Sequence, residues 1–199
     1  MVKHELPDAI RVTLIVTSEL ERLGVTHIVG GSLASSLHGV PRATNDADIV
    51  AAMREEHVDA FVHTLHSTFY VDADMIRDAI VQRAEFNVIE LATMFKVDVF
   101  VPLMDIVTRA ELRRGVATLV DAERNLTMRL ATPEDIIVQK LSWYERGARI
   151  SERQWTDALG VLMVQKNRLD LDYLRETAIL LGVEKLLEQA LEQSAATDL

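Results

Sequence analysis

Val25-Thr26-His27-Ile28-Val29-Gly30-Gly31-Ser32, then thirteen residues, then Asp46-Ala47-Asp48-Ile49-Val50-Ala51 is the stretch on which the reading of this chain turns. Val25 to Val29 is a short apolar run that predicts a strand. The two glycines after it let the backbone turn sharply and bring its amides close to a ligand, with no side chain between. Amides at such a turn, backed by a helix amino terminus, attract phosphate. Ser32 adds a hydroxyl donor and is a candidate cap for a short helix through Leu37. His38-Gly39-Val40-Pro41 ends that helix. A strand–Gly-Gly–helix turn is also an ordinary tight connection, so its meaning depends on the acids beyond it.

Asp46 to Ala52 reads as a second strand. Its period of two places Asp46 and Asp48 on one face and Ala47, Ile49 and Ala51 on the other. Two carboxylates side by side repel each other unless a cation sits between them. A third acid has the same character. In Phe95-Lys96-Val97-Asp98-Val99-Phe100 the apolar Phe95, Val97 and Val99 point one way, and Lys96 and Asp98 the other. Asp98 is readable as part of a solvated face with Lys96 as its neighbour. The alternative is a third ligand brought beside Asp46 and Asp48 by strand pairing. Three hard oxygen ligands on adjacent strands suit Mg2+ or Mn2+. A phosphate-cradling turn, a helix, an Asp-x-Asp strand and a later strand aspartate together make a two-metal phosphoryl-transfer site.

Outward from this stretch the chain divides by character. Pro7 to Leu23 is helical by the spacing of Ile10, Leu14, Leu20 and Leu23, and Gly24 stops it. Arg54 to His66 is an amphipathic helix, and Asp72 caps another through about Ala84. Phe86–Leu91 and Met94–Val101 are expected strands joined by a tight turn at Ala92-Thr93. Met104 to Arg114 is helical, with short strands near Ala117–Val120 and Leu126–Leu130. Thr132-Pro133-Glu134-Asp135 is a strong helix start, with a cap, a proline in the first turn and acids behind it. From there the pattern is helical, with breaks near Gly147–Ile150, Asn167–Leu169 and Gly182. The expectation is a mixed α/β (α+β) fold: a mixed-sheet core over residues 1–131, then a helical region over 132–199 packed on it.

Bulk properties narrow the function classes. A chain of 199 residues is long enough to bury a real core. It has no cysteine, which excludes disulfides, thiolate metal sites and cysteine nucleophiles. The run Met1-Val2-Lys3-His4-Glu5-Leu6-Pro7 has no apolar core of signal-peptide length, and no stretch reaches the roughly 20 apolar residues of a membrane span. The expected location is the cytoplasm. A formal net charge of −10 makes a poor general nucleic-acid binder. The clusters Arg109, Arg113, Arg114 and Arg146, Arg149, Arg153 read as solvated helix faces, with a local basic patch as the alternative.

The order Val29-Gly30-Gly31-Ser32 … Asp46-Ala47-Asp48-Ile49 resembles the signature of the DNA polymerase beta superfamily of nucleotidyltransferases. That resemblance implies a triphosphate bound at Gly30, Gly31 and Ser32. It also implies metals held by Asp46, Asp48 and Asp98, with Asp98 nearest the acceptor hydroxyl as base. Arg42 and Thr44 match the Arg-x-Thr-x-Asp-x-Asp lead-in of many small bacterial members. Pro133-Glu134-Asp135, Lys140-Leu141-Ser142-Trp143 and Arg153-Gln154-Trp155-Thr156-Asp157 are similar to the helical region of abortive-infection nucleotidyltransferases, which include toxins of toxin–antitoxin pairs. By that similarity Lys140 contacts phosphates and Asp157 lies nearby. The pattern departs in one respect: no Arg or Lys comes after Ser32 within Leu33–His38.

Two functions are compatible with these residues. One is an enzyme that moves a nucleoside monophosphate from an NTP to an acceptor: an RNA end, a protein hydroxyl or a small molecule such as an aminoglycoside. The other is a binding or regulatory module that keeps the fold without turnover, with a cognate antitoxin or other regulatory partner. Four further features are read from the residues. His63 and His66 are surface histidines, with metal ligation as the alternative, and His27 is a core or sheet residue. His38 is a residue within reach of substrate, or a breaker of its helix. Trp143, Tyr144 and Trp155 are packing between the two halves, with base stacking as the alternative.

Overall fold

The computed structural model describes residues 6–196. The expectation about a signal peptide concerns residues 1–5, which lie outside the described residues, together with Leu6 and Pro7. The described chain forms two compact units. The first runs up to Leu33 and resumes over Thr44–Leu130; the second is Ala34–Ala43 with the chain from Ala131 onward. The residues between the glycine turn and the Asp-x-Asp strand are therefore grouped with the helical unit rather than with the sheet.

The first unit is built on a seven-stranded mixed sheet. Its strands are β1 (His27–Val29), β2 (Asp46–Ala51), β3 (Phe69–Tyr70), β4 (Glu85–Glu90), β5 (Lys96–Phe100), β6 (Val116–Asp121) and β7 (Leu126–Leu130), in the spatial order β3-β4-β5-β2-β1-β7-β6. β2 runs antiparallel to β1 and parallel to β5, and β4 runs antiparallel to β5. Helices α1 (Asp8–Arg22), α3 (Glu55–Leu65), α4 (Ala73–Gln82) and α5 (Ile106–Arg114) belong to this unit. In α1 the four-residue spacing of Val12, Val16 and Leu20 gives one fully buried stripe. It joins Ala47, Ile49, Ala51, Val97 and Val99 from the inner face of β2 and β5, with Val58 and Phe61 of α3. Phe61 meets Phe86 edge to face, centroids 6.2 Å apart at 83°. Arg11 ties α1 to β4, donating at 2.5 and 2.8 Å to the two carboxylate oxygens of Glu90.

The alternation predicted for β2 is present: Ala47, Ile49 and Ala51 are buried, and Asp46, Asp48 and Val50 are partly exposed. The sheet's inner face is thus apolar and holds the core. Its outer face carries the acids.

The second unit holds α6 (Pro133–Arg146), α7 (Glu152–Gln165), α8 (Leu171–Leu181) and α9 (Glu184–Ala196). Ile137, Leu141, Val161, Leu174, Ala178, Leu187 and Ala190 form its fully buried interior. α6 starts as expected, with Thr132 as cap and Pro133 in the first turn. The 34–43 segment belongs here through a close backbone approach: a Cβ at Gly39 would stand 2.8 Å from the Val161 amide nitrogen.

Two expectations are corrected. Ser32 is not a cap, because helix α2 spans Gly31–His38 and Ser32 lies inside its first turn. The β4–β5 connection is longer than a two-residue turn, because the strands end at Glu90 and resume at Lys96. β3 is not among the expected strands; at two residues it is too short to show a period. Among the described residues no helix is long and apolar enough to cross a membrane.

The Thr132 hydroxyl accepts from the Asp135 amide at 3.3 Å and donates to the Asp135 carboxylate at 2.7 Å. Thr132→Val keeps the shape and removes both bonds. Urea denaturation should show a loss of about 1–2 kcal/mol; an unchanged midpoint would mean the cap is idle.

Candidate functional site

The parallel register of β2 and β5 decides the site's geometry. It sets Asp46 opposite Lys96, Ala47 opposite Val97 and Asp48 opposite Asp98. The antiparallel register of β4 and β5 sets Asn87 opposite Asp98 and Ile89 opposite Lys96. Directly opposed residues share a face, with Cβ atoms about 5 Å apart. The outer face therefore carries one polar row, Asp48–Asp98–Asn87, across three strands. Two like charges directly opposite destabilise a sheet unless something neutralises them.

The turn fits against this row. The Gly30 amide donates to the Asp48 carbonyl at 2.8 Å, which locks the turn to β2. Gly31 has φ +56, a left-handed conformation that L side chains rarely adopt. A Cβ there would lie 1.7 Å from Asp48 Oδ2, so the Asp48 carboxylate occupies the space a side chain would need. Glycine is thus required twice over at this position. Thr44 fixes the other acid, its hydroxyl donating to Asp46 Oδ1 at 2.9 Å.

Asp98 is buried, at 8% exposure, and its two oxygens differ. Oδ2 takes the Lys96 ammonium at 2.6 Å, while Oδ1 is enclosed and has no hydrogen-bond partner. The Asp98 hydrogen bond, against partial burial and with the charges of Asp98 and Asp46, raises the Lys96 pKa. Lys96 thus supplies a positive charge to the row. Among the described residues, no three acidic or histidine side chains are gathered closely enough to hold an ion as they stand. One of the three aspartates is held by Lys96 instead.

The donor set nonetheless fits a hard divalent cation. All its donors are oxygens, two carboxylates are opposed on neighbouring strands, and one enclosed carboxylate oxygen lacks a partner. An unpaired carboxylate oxygen shut away from water is costly, and a cation removes that cost.

Arg42, Lys140 and Asp157 meet within the helical unit. Arg42 clasps Asp157 with Nε on Oδ1 at 2.8 Å and Nη2 on Oδ2 at 2.9 Å. Lys140 Nζ lies 2.8 Å from Asp157 Oδ2, and both side chains are nearly enclosed, at 6% and 7% exposure. Arg42 is more open, at 27%. Burial pushes the Asp157 carboxyl up, but the hydrogen bonds and charges of Arg42 and Lys140 outweigh it and hold the carboxyl below its ordinary range.

Of the aromatic residues, Tyr144 and Trp155 pack on each other within the helical unit, centroids 5.4 Å apart, and Trp155 Nε1 donates to Gln193 at 3.1 Å. Trp143 is half exposed under the Arg146 guanidinium, so it is not core. His38 Nε2 lies 2.9 Å from the Ala131 carbonyl, and His27 is buried in β1. His63 and His66 stack with each other on the surface. Asn87 is the polar residue that sequence reasoning misses. Its signal is an amide alone between Phe86 and Val88 in an apolar strand.

No family model matches the chain, and no curated protein matches it. Solved structures do. The solution structure of the antibiotic-resistance factor ANT(2'')-Ia is 16% identical and matches over 96% of this chain and 100% of that one, at TM-score 0.50. The crystal structure of ANT(2'')-Ia in complex with adenylyl-2''-tobramycin is 18% identical over 84% of this chain and 96% of that one, at 0.51. An antigenic nucleotidyltransferase-like protein from Paracoccidioides brasiliensis is 16% identical over 92% and 91%, at 0.52.

Gly31→Ala should destabilise the chain by about 1–3 kcal/mol from backbone strain alone, read by urea denaturation; a neutral result would contradict the packing of Asp48 on the turn. The Asp157 carboxyl ionises at lower pH in the native state than in the unfolded chain. It therefore contributes stability above the unfolded aspartate value of about 3.9, lost as pH falls through the depressed native value. Asp157→Asn should cost about 3–5 kcal/mol at neutral pH, because it leaves Lys140 buried without its carboxylate. The variant's stability should also fall less steeply than wild type below about pH 4. Parallel acid limbs would rule this out.

Proposed function

From a chain with the nucleotidyltransferase superfamily fold, we propose a metal-dependent nucleotidyltransferase that moves a nucleoside monophosphate from an NTP to an acceptor. The observation that carries the reading is the opposition of Asp48 and Asp98 on parallel strands, with the Gly31 backbone packed under Asp48 and one Asp98 oxygen unpartnered. No purely structural requirement calls for two opposed acids and a glycine cradle in one place.

In this reading the bond between the α-phosphorus and the pyrophosphate oxygen breaks as the acceptor oxygen bonds to that phosphorus. Asp98, nearest the acceptor hydroxyl, takes its proton. The amides of Gly30, Gly31 and Ser32 receive the triphosphate at the amino terminus of α2. Thr44 keeps the Asp46 carboxylate turned into the site. Mg2+ or Mn2+ on Asp46, Asp48 and Asp98 would lower the acceptor hydroxyl's pKa and stabilise the leaving pyrophosphate. Lys96, held on Asp98 Oδ2, would compete with that ion for the carboxylate. In the helical unit, Lys140 and Asp157 serve by holding Arg42, the more open of the two cations and the one suited to phosphate.

One solved neighbour is in complex with adenylyl-2''-tobramycin, which makes a small hydroxylated molecule the first acceptor to test. An RNA end and a protein hydroxyl are the others, and the net charge of −10 weighs against long RNA. A second reading is favoured by the Lys96–Asp98 pair: a module that binds nucleotide without turnover, with a regulatory partner such as an antitoxin.

Labelled NTP, Mn2+ and acceptor pools of the three classes separate these readings. Asp48→Ala and Asp98→Asn should each reduce transfer by roughly 10²–10³-fold; labelling equal to wild type in both would sink the enzyme. Lys96→Met should tighten Mn2+ binding and lower the metal-free melting temperature. Unchanged Mn2+ affinity in that variant would show that Lys96 does not compete with a cation.

A further inference from the structure

The polar row on the sheet's outer face continues past the three aspartates. Asn87, in the middle of β4, is the register partner of Asp98, which is itself the partner of Asp48. Its neighbours Phe86 and Val88 point into the core and are buried. Asparagine is disfavoured in strands, so its presence at this position needs a local reason. The structure gives it no internal one: Asn87 Oδ1 is enclosed and has no hydrogen-bond partner. With the amide oxygen in that position, a buried polar atom is left unpaired, at a cost that native structures rarely leave uncompensated.

The same holds for Asp98 Oδ1 directly across the strand pair. Two enclosed acceptor oxygens cannot satisfy each other, because neither carries a hydrogen. With the amide oxygen facing the row, what they share is a need for positive charge or a donor. An amide oxygen is an ordinary ligand for a hard divalent cation, alongside carboxylates. It also brings no charge of its own, which matters next to Asp46, Asp48 and Asp98: a fourth carboxylate would add repulsion that Lys96 alone does not offset.

We propose that Asn87 is a neutral oxygen ligand of the cation site, paired with Asp98 Oδ1 on the side of the row away from Asp48. This rests on the reading of the aspartate row as a divalent-cation site and adds to it a ligand from a third strand. The polar row thereby becomes asymmetric, with charge on the Asp48 side and a neutral amide on the β4 side.

The test is Mn2+ titration of the full chain without nucleotide, following the electron paramagnetic resonance signal of free Mn2+. The chains compared are wild type, Asn87→Leu, Asn87→Ser, Asn87→Asp and Asp48→Ala. Asn87→Leu and Asn87→Ser should weaken Mn2+ binding by roughly tenfold, while Asn87→Asp, which keeps an oxygen in place, binds at least as well as wild type. Far-UV circular dichroism and a thermal melt accompany each variant, and Asn87→Ser carries the test should Asn87→Leu not fold. A lowered melting temperature with wild-type Mn2+ affinity in Asn87→Ser would assign Asn87 a purely structural part and overturn the proposal, while a weakened Asp48→Ala leaves the aspartate site standing. Wild-type affinity in Asp48→Ala would remove the site reading itself, and the Asn87 ligand with it.

Discussion

Two aspartates facing each other across parallel strands repel, and the rest of the sheet unit is arranged around that fact. The repulsion arises from register. A one-residue slip of β2 against β5 would turn Asp48 into the core and Ile49 out of it, so the apolar inner face and the acidic outer face enforce each other. Burial of Ala47, Ile49, Val97 and Val99 holds the register. The register in turn holds two negative charges together. The hydrophobic effect thus maintains an electrostatic conflict that the isolated strands would relieve by sliding.

The turn before α2 answers to the same constraint. Asp48 needs room on its outer face, and it finds that room where Gly31 has no side chain. The glycine's left-handed backbone also starts α2 at once, so the helix's first amides lie next to the carboxylate row. Anion-attracting amides and cation-attracting acids therefore adjoin within a few residues. Such adjacency suits a ligand that itself carries both signs, as a metal-bound triphosphate does. The helical unit uses a different device. There Asp157 is outnumbered by Arg42 and Lys140, and the cost of burying a carboxylate is offset by two cations at hydrogen-bonding distance.

Much of this is legible in the amino-acid order alone. The period-two alternation of residues 46–51 and 95–100 places the acids on one face, because sheet geometry leaves only two faces to choose between. Thr132-Pro133-Glu134-Asp135 announces its helix because caps and first-turn preferences are local. Partnership at long range is not legible. No spacing rule connects Arg42 to Asp157 across 115 residues, or sets Asn87 opposite Asp98. Local rules also misplace Ser32, because the helix begins at the left-handed Gly31, two residues earlier than a serine cap would start it. Helical spacing alone puts both tryptophans and Tyr144 in a core between the two halves. Spacing says which residues share a face and not what that face meets: Tyr144 meets Trp155, and Trp143 meets solvent and Arg146.

Lys96 gives the sheet unit an internal counterion. A chain whose acidic row had no such residue would depend on dissolved cations to finish folding, and its abundance would track the metal supply. With the ammonium at 2.6 Å from Asp98, the fold is completed by a charge that the chain itself carries. Folding of the acidic row is thereby uncoupled from the ions around it.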